Sequence, residues 1–108
     1  MNYKVDTIPV FDKQAKRLSK KYPSLKKDLT ALVNSLVTEP EQGTPLGSSF
    51  YKIRLAITAK GKGKSGGARL ITYLKIKATT VYLVSIYDKG EKETISDSEL
   101  KLIFKMLP

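Results

Sequence analysis

The sequence predicts a single small α+β domain over residues 1–108, in the order βααβββα, with a mostly antiparallel sheet and helices packed against it. Apolar residues recur at helical spacing through the first third of the chain, and the period drops to two from Phe50. A capping signature at Ser96 then opens one more helix near the end. With 41% apolar residues, the chain can bury one modest core.

Asn2 to Ile8 reads as a short strand offering Tyr3, Val5 and Ile8 to that core. Pro9 suits the first turn of a helix, because its missing N–H would have no helical partner there. Phe11, Ala15 and Leu18 carry that helix to about Lys21, and Tyr22-Pro23 breaks it. Ser24 reads as the N-cap of a second helix, with Leu25, Leu29, Leu32, Val33 and Leu36 on one face. It stops before Pro40, and Glu39 to Ser49 reads as a polar loop.

From Phe50, Tyr51, Ile53, Leu55 and Ile57 fall on one face of a strand and Lys52 and Arg54 on the other. Ala68 to Ile76 alternates again: Leu70, Thr72, Leu74 and Ile76 oppose Arg69, Ile71, Tyr73 and Lys75. Thr80 to Tyr87 is nearly all apolar, as in a strand covered on both sides. The short Lys77-Ala78-Thr79 link makes an antiparallel hairpin of these two. A mixed-charge turn, Asp88 to Thr94, leads to the last helix. There Ser96 and Glu99 form a capping box, Ile95 and Leu100 a hydrophobic staple, and Leu100, Ile103, Phe104 and Leu107 the buried face.

Twenty Lys and Arg stand against ten Asp and Glu, a formal charge of +10, and the chain has no histidine and no cysteine. Such an excess attracts polyanions with strong salt sensitivity. Without histidine or thiolate, most hydrolytic mechanisms and most zinc and copper sites are excluded. Chemistry falls to Lys, Arg, Tyr, Ser, Thr and a few carboxylates. No segment resembles a signal peptide or a membrane span, and the lack of cysteine fits an intracellular protein.

Four groups of residues are candidates for function. Lys52 and Arg54, with Arg69 and Tyr73 on the next strand, form a concave basic patch if the strands pair; an ordinary solvated sheet face is the alternative. Lys60, Lys62 and Lys64, spaced by glycines, form a flexible cationic arm for phosphate, without the spacing of a P-loop. The Tyr87–Glu93 turn can carry Lys89 and Lys92 back over the basic face, or be plainly solvated. Lys13, Lys16, Arg17, Lys20, Lys21, Lys26 and Lys27 crowd the first two helices, as a solvated face, a second nucleic-acid contact or a seat for an acidic partner.

The segments Phe50-Tyr-Lys-Ile-Arg-Leu, Gly66-Gly-Ala-Arg-Leu-Ile-Thr-Tyr and Val84-Ser-Ile-Tyr-Asp-Lys-Gly-Glu-Lys-Glu, in this order after two helices, resemble the RelE/ParE toxin superfamily. The Lys-Gly-Lys-Gly-Lys insertion and the Tyr-Asp-Lys-Gly-Glu-Lys turn look most like its HigB-type branch. The resemblance implies a RelE-like fold and the toxin of a bacterial type II toxin–antitoxin module. It further implies a ribosome-dependent mRNA endoribonuclease that enters the A site, needs neither metal nor cofactor, and arrests translation.

By position, Lys52 and Arg54 match the family's paired basic residues on the first core strand, and Arg69 the arginine heading the next. Lys89, or failing that Lys92, matches the basic residue after the last strand. RelE-type ribonucleases often carry a tyrosine just before the last helix; here that position is Ile95, and Tyr73 or Tyr87 is the substitute. Implied partners are a cognate acidic or helix-turn-helix antitoxin, the ribosome with its mRNA, and operator DNA for the toxin–antitoxin complex. A ParE-like gyrase inhibitor and a non-catalytic nucleic-acid-binding module are the alternatives.

Overall fold

The computed structural model describes residues 2–108. Its elements are β1 (Lys4–Thr7), α1 (Pro9–Lys21), α2 (Leu25–Thr38), β2 (Thr44–Gly47), β3 (Phe50–Leu55), β4 (Ala68–Lys75), β5 (Thr80–Asp88) and α3 (Asp97–Lys105). The five strands form one sheet in the order β1-β5-β4-β3-β2. β1 runs parallel to β5 and every other pairing is antiparallel. The expected α+β architecture is present, with one strand more than the periodicity indicated.

The additional strand is β2, inside the segment read as a loop. Pro45 lacks an N–H, which only an edge strand tolerates, and β2 is an edge pairing Thr44 with Lys52 and Gly47 with Phe50. Ser48 and Ser49 turn the chain with φ of 52° and 70°, values usually met by Gly or Asn, so no turn signal marks the hairpin. Ile76 is the second correction. It leaves the strand in a 3-10 turn and is 64% exposed, so the apolar face of β4 ends at Leu74.

Helices α1 and α2 lie on the sheet face formed by Leu55, Ile53, Leu70, Leu74, Val81 and Ile86. Phe11, Leu18, Leu25 and Leu36 are buried there. Beyond the short β1, the free edge of β5 is served by Gln14, whose Oε1 accepts from Ile86 N–H at 2.9 Å and Ser85 hydroxyl at 3.1 Å. Ser24 precedes α2 as expected but does not cap it, since its backbone is already helical and its side chain has other partners.

Helix α3 crosses the opposite face. Its capping box forms as predicted, and Ile95 and Leu100 both pack against the core. Phe104 corrects the expected buried face: it is 53% exposed, though its ring still meets Tyr73 edge-on at 6.0 Å. With helices on both sides, β4 and β5 are buried along most of their length.

Candidate nucleic-acid interface

Strand register sorts the α3-side face into rows, because directly paired residues project to the same side. One row is Arg54 opposite Arg69 opposite Tyr87, across β3, β4 and β5. The next is Lys52, Ile71 and Ser85; the third is Phe50, Tyr73 and Tyr82. A bulge in β5, between the partners of Ile71 and Thr72, keeps Ser85 and Tyr82 on one side. The face therefore grades from aromatic, where α3 rests, to cationic. Two arginines directly opposite each other repel, a fold-level cost of about 0.2–1 kcal/mol that a polyanion would relieve.

Arg69 is 6% exposed and forms no salt bridge among the described residues. Its guanidinium donates to the carbonyls of Lys64 at 3.0 Å, Ala68 at 3.2 Å and Ser65 at 3.2 Å. It thus forms the floor of the patch and folds the glycine-rich segment around itself. Arg54 is exposed and Lys52 half-buried, so these two form the accessible rim. Tyr73 lies two rows away, packed against Phe50 at 5.1 Å and Phe104. Tyr87 lies in the arginine row, and its buried phenol oxygen has no hydrogen-bond partner among the described residues.

The glycine-rich segment is anchored rather than a free arm. Asp28 accepts from the hydroxyl and N–H of Thr58 at 2.7 and 3.0 Å, and Ser24 accepts from Ala59 N–H at 2.9 Å. Burial alone would raise the Asp28 carboxyl, but the bonds from Thr58 and Ser24 hold it below its ordinary value. Lys60 does not join Lys62 and Lys64. It turns inward to Asp88, whose carboxylate also accepts from Tyr22 hydroxyl at 2.6 Å and Gly90 N–H at 2.9 Å. Burial opposes ionisation of Asp88, yet the Lys60 ammonium and these donors hold its pKa far below the usual carboxylate range. Only Lys62 and Lys64 stay exposed as cations of the segment.

The turn after β5 divides its charges. Glu91 pairs with Arg17 at 2.7 Å and Lys21 at 3.1 Å, so part of the basic crowd on α1 is committed within the fold. Lys89 donates to the Glu93 carbonyl at 3.1 Å. Lys92 reaches back over the patch, its Nζ 5.4 Å from the Tyr87 ring centroid, and pairs with Glu99. That pairing keeps the Glu99 carboxyl below its ordinary value against the opposing effect of partial burial. Composition concealed Glu99, because its capping role already accounted for it. Among the described residues, no helix is long and apolar enough to cross a membrane.

The arrangement, cations on one sheet face with an aromatic row beside them, suits the backbone and bases of a single strand. Solved structures carry the same fold. A double arginine-to-alanine mutant of E. coli RelE in the free state is similar at 16% identity and TM-score 0.64, over 98% of this chain and 94% of that one. The isolated E. coli RelE toxin is similar at 22% identity and TM-score 0.53, over 97% and 99%. A metal-bound toxin from Helicobacter pylori is similar at 26% identity and TM-score 0.53, over 84% and 98%. The sequence pattern of the family described as the RelE toxin of the RelE / RelB toxin-antitoxin system matches residues 9–107, and the chain belongs to that family.

Proposed function

We propose that this toxin is a ribosome-dependent, metal-independent mRNA endoribonuclease of the HigB-type branch, acting in the cytoplasm to arrest translation. The observation that carries this is the Arg54–Arg69–Tyr87 row with Lys52 beside it and Lys92 above it. In the reaction, the RNA 2′-hydroxyl loses its proton and O2′ bonds to the adjacent 3′ phosphorus. The P–O5′ bond then breaks and O5′ takes up a proton, leaving a 2′,3′-cyclic phosphate and a free 5′-hydroxyl. Charge builds on the non-bridging oxygens, where fixed cations stabilise it most.

Lys52 and Arg54, accessible on the rim, would bind the reacting phosphate, with Lys92 closing from above and Lys89 beside the turn. Arg69 would add its charge from the floor while shaping the Lys62–Lys64 segment, whose lysines grip neighbouring phosphates. Lys60 is excluded from this set by its bond to Asp88. Tyr73 is placed for packing under α3, and Tyr87 is the tyrosine nearest the cations. A RelB-like antitoxin, acidic or helix-turn-helix, would neutralise the toxin, and the pair would bind operator DNA.

Induction in a bacterial host followed by mapping of mRNA 5′ ends tests this. In-frame cuts within translated codons, lost when translation is blocked, are expected. Growth arrest with intact mRNA and blocked supercoiling would replace it with gyrase inhibition.

A further inference from the structure

Glu99 gives its two carboxylate oxygens separate tasks. Oε1 accepts from the N–H and hydroxyl of Ser96, both at 3.2 Å, while Glu99 N–H donates to Ser96 Oγ at 3.1 Å. These bonds complete the capping box of α3. Oε2 takes no part in capping; it accepts from the Lys92 ammonium. Lys92 in turn sits over Tyr87, in the row that holds Arg54 and Arg69. Among the described residues, Lys52, Arg54, Arg69 and Lys89 form no salt bridge. Glu99 is therefore the carboxylate paired with a cation of this face.

The pair is open to exchange. The Lys92 and Glu99 side chains are 34% and 41% exposed, and ion pairs so exposed contribute only about 0–1 kcal/mol. A phosphodiester offers a lysine the same charge and acceptor type as a carboxylate. We propose that Glu99 is an internal substitute for RNA phosphate: it holds Lys92 over Tyr87 in the free toxin, and an RNA phosphate takes Lys92 from it. Displaced, Glu99 keeps its bonds to Ser96, so α3 stays capped while a negative charge remains beside the bound strand. Glu99 thereby sets a threshold for Lys92: a strand gains this cation only where its phosphate outcompetes the carboxylate. This inference rests on the RNA-binding reading of the same face.

Glu99→Gln separates the two tasks, since glutamine at this position supports a capping box but offers Lys92 no counterion. The measurement is fluorescence anisotropy of a short labelled single-stranded oligoribonucleotide at low salt, with purified full-length protein. Glu99→Gln is expected to bind about two- to fivefold tighter, the size of one released exposed ion pair. Lys92→Gln should bind more weakly, and the double variant should match Lys92→Gln, which distinguishes exchange from a mere gain in net charge. Ser96→Ala, which breaks the cap but leaves Oε2, should not tighten binding. If Lys52→Gln and Arg54→Gln weaken binding while Glu99→Gln leaves it unchanged, the role of Glu99 is overturned and the RNA-binding face stands. Equal tightening by Glu99→Gln with and without Lys92 overturns it as well. No binding by the wild type would remove the RNA-binding reading itself, and this inference with it.

Discussion

Lys60 places its ammonium 2.7 Å from Asp88 Oδ1, so a lysine of the glycine-rich segment is the counterion of a carboxylate that is 1% exposed. Through this bond, and those from Tyr22 and Gly90, the end of β5 holds α1, the segment after β3 and the turn that carries Lys89 and Lys92. The cationic face therefore depends on a contact made on the opposite side of the sheet.

Asp88 makes the fold acid-sensitive. Its pKa is depressed in the folded protein, so its contribution is fully present above the unfolded value of about 3.9 and is lost as pH falls toward the folded one. The melting temperature of the wild type should accordingly drop steeply below about pH 4. Asp88→Asn should lower stability near neutral pH by about 3–5 kcal/mol, by leaving Lys60 without its partner, and should flatten the acid limb. Thermal melts between neutral and acid pH check both; an unchanged acid limb in the variant would show that other carboxylates govern it.

Gly67 sets the return of the glycine-rich segment to the sheet. A Cβ there would stand 2.1 Å from the Leu55 carbonyl oxygen, and the Gly67 carbonyl accepts from Lys89 N–H at 3.0 Å. Gly67→Ala must push β3 and β4 apart beside Arg54 and Arg69. A loss of about 1–3 kcal/mol is expected, read as a fall in melting temperature of about 4–8 °C per kcal/mol. At Gly47 and Gly63 an Ala would meet no clash, but their φ of 90° and 66° make it cost about 1–2 kcal/mol by backbone strain instead.

The helices, β3 and β4 were legible because each has a periodic apolar face, and β5 because it is a nearly unbroken apolar run, both of which the order of residues alone displays. β2 was not legible: Thr44-Pro-Leu-Gly47 carries no strand pattern, the two positive-φ serines after it carry no turn signal, and only pairing with Phe50 and Lys52 makes the segment a strand. Lys52 and Arg54 stood out by alternation, but the Arg54–Arg69 pairing needs the register, which a loop from Thr58 to Gly67 does not dictate. Lys60 was misplaced for a related reason. Its partner Asp88 lies 28 residues away, and nothing local distinguishes Lys60 from Lys62 or Lys64.

Ser96 ties α3 to the aromatic end of the face. Ser96→Ala removes the acceptor of the Glu99 N–H and should cost about 1 kcal/mol. Since α3 covers Tyr73 and Phe50, fraying should appear as faster amide exchange in the first turn of α3 before any change in β4. Hydrogen exchange measured residue by residue decides this; simultaneous loss of protection in α3 and β4 would mean that they open as one unit.

Arg54 and Arg69 face each other in register yet should fail differently when mutated. Arg54 is exposed and forms no salt bridge among the described residues, so Arg54→Gln should change stability by no more than about 0.5 kcal/mol. It should weaken RNA binding, with the slope of log affinity against log salt falling by about 0.7, the value for one lost contact on a single strand. Arg69→Gln removes the donors to Lys64, Ser65 and Ala68 carbonyls and should destabilise the fold by about 1–3 kcal/mol. Its loss of RNA binding should accompany a loosened Lys62–Lys64 segment, visible as proteolysis there. If instead Arg69→Gln melts like the wild type and loses only one contact from the salt slope, Arg69 is a phosphate ligand and its carbonyl bonds are incidental. Denaturation and salt titration on the two variants together separate the rim from the floor.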